Sequence, residues 1–238
     1  MTSYKPMSDK PSVRSPWFWV PSLYFAQGIP YVAVMIVSVL MYKRLGVSNT
    51  DIALYTSWLN LPWVIKPFWS PFVDLLKTKR WWVVTMQLLI GAGLAGVAFT
   101  IPTTFFFQAS LAVFWLLAFS SATHDIAADG FYMLALDSHE QAFFVGIRST
   151  FYRIAIIAGQ GVLVMFAGFL ENSTGNIPLA WSVTFFILGG LFLALFLYHR
   201  YILPLPKGDK PSATVTPSTI LKEFFATFAS FFKKKQAF

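Results

Sequence analysis

Residues 104–135 read TFFFQASLAVFWLLAFSSATHDIAADGFYMLA, a long apolar run that contains Asp125 and Asp129. About 20 apolar residues are enough for a helix to cross the hydrocarbon core of a bilayer. A charge inside a membrane is costly unless it is paired, and such charges usually mark a binding site or a pathway. The stretch therefore predicts a membrane-spanning helix with one polar face turned toward the interior of a helical bundle.

Five more apolar stretches accompany this one. In chain order, the six predicted spans cover residues 17–42, 51–73, 81–101, 104–135, 143–170 and 179–201. The second contains Lys66, and the fifth contains Arg148 and Arg153. Charged residues make up only 12% of the chain, whereas a soluble domain carries about 25%. We therefore predict an all-α membrane protein, a six-transmembrane-helix bundle.

The chain divides into three predicted regions. Residues 1–16 form a cytoplasmic N-terminal tail, residues 17–203 the bundle, and residues 204–238 a cytoplasmic linker with an amphipathic segment. Phenylalanines at helical spacing near lysines predict that last segment. The final residues, FFKKKQAF, read as an inner loop that enters a seventh span. We therefore expect a missing C-terminal half, as a separate piece or subunit, or a homodimer partner.

The net charge of +8 follows the membrane orientation. If the N-terminus is cytoplasmic, basic residues concentrate on the inner side, and only Lys43 and Arg44 lie outside. The inner residues are Lys5, Lys10, Arg14, Lys77, Lys79, Arg80, Arg200, Lys207, Lys210, Lys222, Lys233, Lys234 and Lys235. This asymmetry obeys the positive-inside rule and places both termini in the cytoplasm. The excess of basic residues thus predicts a lipid bilayer rather than nucleic acid as the partner.

The chain contains no cysteine, which excludes disulfides and cysteine-based metal sites.

Two spans contain helix breakers. The first carries Gln27-Gly28-Ile29-Pro30-Tyr31, and the second carries three prolines around Lys66. Because proline removes a backbone hydrogen bond, both spans are predicted to be broken. One interpretation is a packing kink. The other is a cavity wall in which Gln27 and Tyr31 hydrogen-bond a substrate.

The depths of the charged residues predict their pairing. Asp125 and Asp129 are four residues apart and share one helix face. At about 1.5 Å per residue, Asp125 lies level with Arg153, and Asp129 lies level with Arg148 and Lys66. Each acid can therefore pair with a base, as buried charges require. One positive charge is left over to attract an anionic group.

Structural interpretations of the same residues stay open at this point. Lys66 and Arg148 have side chains long enough to reach the inner headgroups. Asp125, Asp129 and Arg153 form either a structural ion-pair lattice or a site for substrate and proton. His124 points about 100° away from Asp125 on the helix, so we assign it a passive role.

Three segments resemble a known family. Residues 121–130, SATHDIAADG, resemble the fourth-helix stretch S-A-T-Q-D-I-A-V-D-G/A of AmpG-type muropeptide permeases and acetyl-coenzyme A transporters of the major facilitator superfamily. Residues 23–31, LYFAQGIPY, resemble the family's first helix, and residues 61–74 resemble its second. The chain departs from the family at His124, where glutamine is usual. Its inner-loop motif keeps only Asp74 and the basic pair Lys79 and Arg80.

The resemblance implies the N-terminal half of a fold with two six-helix halves around a central cavity. It implies a secondary active, proton-coupled transporter of muropeptide-like or other anionic solutes in the bacterial inner membrane, with no enzymatic activity, cofactor or metal. From the broken first span and the buried charges, we predict that the substrate-binding residues are Gln27, Tyr31, Lys66, Arg148 and Arg153. The implied proton-coupling or charge-balancing residues are Asp125 and Asp129, and the implied gating-loop residues are Asp74, Lys79 and Arg80.

Two other classes of protein remain as alternatives. A membrane-embedded phosphotransferase could use Asp125 and Asp129 to hold a metal ion, although no other span offers a carboxylate at that level. A structural or channel subunit is the second alternative. A zinc protease is disfavoured because the chain has no His-Glu-x-x-His pattern.

Overall fold

The computed structural model describes residues 15–210, and their regular structure is entirely helical. Five helical segments are long and apolar enough to cross a membrane. They are Pro16–Arg44, Lys79–Thr100, Phe106–Ala135, Ser138–Thr174 and Ile177–Ile202. These segments are the first, third, fourth, fifth and sixth spans. The predicted N-terminal tail lies outside the described residues up to residue 14. The predicted C-terminal region lies outside them from residue 211 onward, so only the start of the linker is described.

The second span is a series of short helical pieces. In chain order they are Asn49–Thr56, Ser57–Asn60, Leu61–Val64, Lys66–Phe68 and Ser70–Leu76. Pro62, Pro67 and Pro71 each lie within the first two positions of a piece. A proline there needs no intrahelical partner for its nitrogen, so each one starts a new piece. The break predicted from these prolines is therefore present.

The first span is not broken at Pro30, and that prediction was wrong. Its backbone stays helical through Val20–Val32, with Pro30 inside, and continues to Arg44. The disturbance appears one turn later as a π-helical segment, Ala33–Val37. A π-segment changes the hydrogen-bond register, and this lets a helix continue past a missing N–H without a sharp kink.

The spans pack as two neighbouring groups. The third packs against the fourth and sixth, and the first packs against the fifth. Gly28 permits the second contact, because a Cβ there would lie 2.7 Å from the Ala155 Cβ and 2.9 Å from the Tyr152 carbonyl oxygen. Small residues at such crossings allow the close van der Waals packing that stabilises helices in lipid. The Gly28 region is therefore a packing contact between the first and fifth spans.

A buried hydrogen-bonded chain of four side chains joins the first, sixth, third and fourth spans. Ser22 Oγ lies 3.0 Å from His199 Nε2, and His199 Nδ1 donates to Gln87 Oε1 at 3.0 Å. Gln87 Nε2 in turn donates to His124 Nε2 at 3.1 Å. Both histidines and the glutamine are fully buried. Since His124 anchors this chain inside the bundle, we interpret it as a structural residue.

The end of the bundle opposite the basic loops is held by one ion pair. The Arg44 guanidinium contacts the Glu171 carboxylate, which also accepts a hydrogen bond from Trp181 Nε1 at 2.7 Å. This pair ties together the ends of the first and fifth spans and the start of the sixth. It neutralises one of the two basic residues that the sequence places on the outer side.

A labelling experiment tests the predicted orientation. The chain has no cysteine, so Ser173→Cys introduces a single thiol at an exposed position beside the last outer loop. We expect a membrane-impermeant maleimide to label this thiol in intact cells. Ser138→Cys, at the opposite end of the same span, should react only after the cells are opened. The reverse pattern would contradict the orientation derived from the basic residues.

Candidate functional site

A buried ion pair joins the second and fourth spans. Lys66 Nζ donates to Asp125 Oδ2 at 2.6 Å, and the Asp125 side chain is only 8% exposed. Lys66 opens one of the short pieces of the second span, so the chain breaks where this cation enters the bundle. A buried carboxylate is tolerated when a cation and hydrogen bonds compensate its lost hydration. The second oxygen, Asp125 Oδ1, makes no hydrogen bond of normal geometry within residues 15–210, and the nearby polar group is the Trp63 indole.

A second cluster joins the first, fourth and fifth spans one turn along the same helix face. Arg148 Nη1 lies 3.4 Å from Asp129 Oδ1 and donates to Tyr24 Oη at 3.0 Å. Tyr24 Oη donates to the same carboxylate oxygen at 3.0 Å. The Arg148 guanidinium also lies 5.1 Å from the ring centroids of Tyr24 and Tyr132. Arg148 is therefore held by Tyr24, Asp129 and Tyr132, which belong to the first and fourth spans.

The cluster of Tyr24, Asp129 and Arg148 lines a charged groove on one side of the bundle. The groove is a cavity of about 430 Å³ that is open on one side. We define the charged groove by its lining residues, Tyr24, Gln27, Asp129, Arg148, Ser149, Tyr152 and Arg153. Arg153 is exposed, and within residues 15–210 its guanidinium makes no ion pair or hydrogen bond. The groove therefore presents one cation that lacks an internal counterion.

The predicted pairing was right for Asp129 and wrong for Asp125. Asp129 meets Arg148, as their equal depths predict, but Asp125 meets Lys66 instead of Arg153. Depth counting assumed a straight second span with about 1.5 Å per residue. That span is instead a series of short pieces, and the four-carbon stem of Lys66 lets its ammonium group reach a carboxylate that lies at another level. The surplus positive charge consequently falls on Arg153 in the charged groove.

The two predicted polar contacts of the first span differ in position. Gln27 is buried and lines the charged groove, and its Oε1 atom has no partner within the described part of the chain. Tyr31 instead packs edge-to-face on Trp63, with ring centroids 5.2 Å apart. Tyr31 is not among the residues that line the groove. The geometry thus favours Gln27 over Tyr31 as a residue that contacts a solute.

The predicted gating loop is held by several contacts. Lys79 pairs with Asp74, and Arg80 donates to the carbonyl oxygens of Leu203 and Arg200. The Asp209 carboxylate accepts the backbone N–H groups of Lys79 at 2.6 Å and of Arg80 at 3.0 Å. Asp209 lies in the segment that follows the sixth span. Its carboxylate therefore accepts backbone N–H groups that have no partner within the first turn of the third span. These contacts join the start of the third span to the end of the sixth span at the basic side of the bundle.

Sequence reasoning missed several lining residues. Tyr24 and Tyr152 carry no charge, so a search for buried charges passed over them. A signal existed for Tyr24, which lies three residues before Gln27 and so shares its helix face. Asp209 lies in a stretch that composition marks as a linker, and no pattern predicted its contact with the third span.

Comparison with known proteins places this arrangement in a family. The model of the BT1 family matches residues 25–234. The chain belongs to the BT1 family. It is 29% identical over 186 residues to the putative transporter AmpG 4 of Rickettsia conorii, which covers 72% of this chain and 41% of that protein. It is 24% identical over 223 residues to the anhydromuropeptide permease of Escherichia coli K12, which covers 90% of this chain and 42% of that protein.

Membership of the BT1 family confirms the resemblance noted from the fourth-span stretch. The protein is an all-helical membrane protein with the fold of an N-terminal half of a major facilitator. The chain spans about half the length of the curated relatives it matches. These relatives are named as transporters or permeases, which favours a transport role over an enzymatic one.

Proposed function

We propose that this BT1-family chain forms one half of a proton-coupled secondary transporter for anionic solutes of the muropeptide type. The observation that supports this most directly is Arg153, an unpaired cation beside the Arg148–Asp129 pair in an open groove. A cation without a counterion in a membrane protein is stabilised when an anion binds next to it. The E. coli relative is named an anhydromuropeptide permease, and this supports the solute class.

The charge balance of the site supports an anionic solute. Lys66, Arg148 and Arg153 provide three positive charges, and Asp125 and Asp129 provide two negative ones. The net charge of +1 lies on the groove side, because Lys66 is already paired with the buried Asp125. Arginine binds carboxylates and phosphates with two parallel hydrogen bonds, so Arg153 suits the carboxylates of a peptide-bearing sugar.

The proposed proton coupling rests on Asp129. Its side chain is 48% exposed toward the groove, and one arginine balances its charge. A solute carboxylate that binds Arg148 competes with Asp129 for the same guanidinium. Asp129 then loses its counterion, and we propose it as the group that carries the coupled proton. Asp125 keeps Lys66 and serves to balance charge.

The open groove supports a two-part transporter. Polar and charged side chains that face hydrocarbon are costly, so a second bundle is expected to cover the groove. In transporters built from repeats, the solute site lies between two such bundles. The second bundle is either a C-terminal half or, as the alternative, a second copy of this chain.

The phosphotransferase alternative gains no support from the geometry. Asp125 and Asp129 each have a basic partner, Lys66 and Arg148 respectively. Across residues 15–210, no three histidine or acidic side chains lie close enough to hold a metal ion. Two carboxylates that are each paired with a cation are poorly suited to bind a divalent metal.

Solute binding and proton uptake can be measured together. We expect the purified chain in proteoliposomes to bind an anhydromuropeptide saturably and to take up protons as it does so, as reported by a pH dye in weak buffer. A neutral disaccharide of similar size should cause neither effect. Asp129→Asn should abolish the proton uptake.

The same proteoliposomes should show no net uptake of solute by the chain alone. Robust uptake by a monodisperse monomer would contradict the two-part arrangement. Equal binding of the neutral disaccharide and the anhydromuropeptide would contradict the proposed solute class.

A further inference from the structure

A second cavity lies at the basic end of the bundle, and it shares no lining residue with the charged groove. It has a volume of about 500 Å³ and lies between the third and sixth spans. We call it the interfacial groove and define it by its lining residues, Thr78, Arg80, Trp81, Val84, Thr85, Leu88, Phe196, Arg200, Leu205, Pro206 and Asp209. The proposed transport site does not include this groove, and of its lining residues the family resemblance assigns a role only to Arg80.

The groove has a polar end and an apolar end. Arg80, Val84 and Leu88 are spaced four residues apart on the third span, so they follow one helix face. Phe196 and Arg200 are likewise four residues apart on the sixth span. Both arginines therefore lie at the same end, and the apolar side chains extend about 12 Å from Arg80 to Leu88 toward the middle of the membrane.

The two arginines differ in how they are held. Arg80 donates to the Leu203 carbonyl oxygen at 3.3 Å and to the Arg200 carbonyl oxygen, which fixes its guanidinium at the edge of the groove. Within the described residues, the Arg200 side chain has no ion pair or hydrogen bond. Arg200 is thus the cation available to a ligand, and Arg80 is the preorganised one beside it.

The acidic residue in the groove does not cancel this charge. Both carboxylate oxygens of Asp209 accept backbone N–H groups, from Lys79 at 2.6 Å and from Arg80 at 3.0 Å. Its charge is therefore compensated by the start of the third span. Trp81 stands next to these groups and is 43% exposed, as is usual for indoles at the membrane–water interface.

We propose that the interfacial groove binds one anionic phospholipid. The phosphate pairs with Arg200 and Arg80, and one acyl chain lies along Val84, Leu88 and Phe196. Basic pockets between spans at the cytoplasmic side are suited to anionic headgroups. A free anion would use only the arginines and leave the apolar wall uncovered, so the groove as a whole fits a lipid. This inference does not depend on the proposed transport activity.

Native mass spectrometry of the full chain in detergent tests this inference. We expect one bound phosphatidylglycerol at concentrations where phosphatidylcholine, with the same acyl chains, remains unbound. Arg200→Gln should weaken phosphatidylglycerol binding about tenfold, which is the typical loss of one charge-assisted hydrogen bond. Lys207→Gln is the matched control, because it removes a positive charge at the same end from an exposed residue outside the groove.

A second variant separates the apolar wall from the charge. Val84→Trp fills the groove without changing any charge and should also weaken phosphatidylglycerol binding. It carries the test if Arg200→Gln fails to give monodisperse protein. Excess inorganic phosphate should not displace the lipid.

Several outcomes would overturn the inference. Equal binding of the two lipids would exclude headgroup recognition, and an effect of Arg200→Gln no larger than that of Lys207→Gln would exclude the arginine contact. Displacement by inorganic phosphate would show a simple anion site instead. No bound lipid at all would likewise contradict a lipid site in this groove.

Discussion

Lys66→Met is expected to destabilise the protein severely, by about 3–5 kcal/mol, because it strands a buried carboxylate without its cation. The Asp125 side chain is 8% exposed, and Lys66 Nζ is its only ion-pair partner within residues 15–210. Its second oxygen already lacks a hydrogen bond of normal geometry within these residues. We expect a large fall in the temperature at which the detergent-solubilised protein loses its monodisperse peak in size-exclusion chromatography.

Two further variants make this test specific. Lys77→Met removes an exposed lysine whose amine lies 5.9 Å from the Trp81 ring centroid, so it should cost less than about 1 kcal/mol. Lys66→Met combined with Asp125→Leu removes both charges and should recover most of the lost stability, since no buried charge remains unpaired. If the double variant is no more stable than Lys66→Met, the two side chains are not coupled as their 2.6 Å distance implies.

The span boundaries followed closely from apolar run length. The third span was predicted at 81–101 and is Lys79–Thr100, and the sixth was predicted at 179–201 and is Ile177–Ile202. Hydropathy works here because every backbone group in lipid must be satisfied within a helix. The fifth span begins earlier than predicted, at Ser138. Asp137 and Glu140 form a capping box there, a pattern that is present in the sequence but lies between the predicted fourth and fifth spans.

The irregular parts of the helices were predicted less well. Three prolines near Lys66 did break the second span, whereas Pro30 did not break the first. A single missing hydrogen bond can be absorbed by a neighbouring π-segment, but closely spaced prolines cannot. Depth counting along ideal helices compares backbone levels and ignores the reach of a lysine side chain, and this is why Asp125 was assigned the wrong partner.

The composition of the candidate site was predicted in part. Buried charges stand out in an apolar sequence, so Asp129 and Arg148 were found together with their pairing. Tyr24 bridges that pair and was missed, because a tyrosine in a span is ordinary by composition. The position of Arg153 at an open groove depends on how the first and fifth spans cross at Gly28, and a contact between distant helices leaves no pattern in one sequence.

Arg153→Gln should abolish the preference of the charged groove for anions. Its guanidinium has no counterion within the described residues, so its removal costs little folding energy and removes the net positive charge of the site. We expect the affinity for an anionic solute to fall about tenfold or more, in line with the loss of one or two charge-assisted hydrogen bonds. Arg153→Lys should retain part of the affinity, because it keeps the charge but loses the planar geometry.

The most direct test is therefore equilibrium binding of a radiolabelled anhydromuropeptide to the wild-type protein and to Arg153→Gln. Lys207→Gln serves as the control, because it removes a positive charge from an exposed residue outside the charged groove. We predict saturable binding by the wild type and by Lys207→Gln, and a loss of about tenfold or more in affinity for Arg153→Gln. Equal affinity of Arg153→Gln and the wild type, or no saturable binding by either, would contradict an anion-binding groove in this chain.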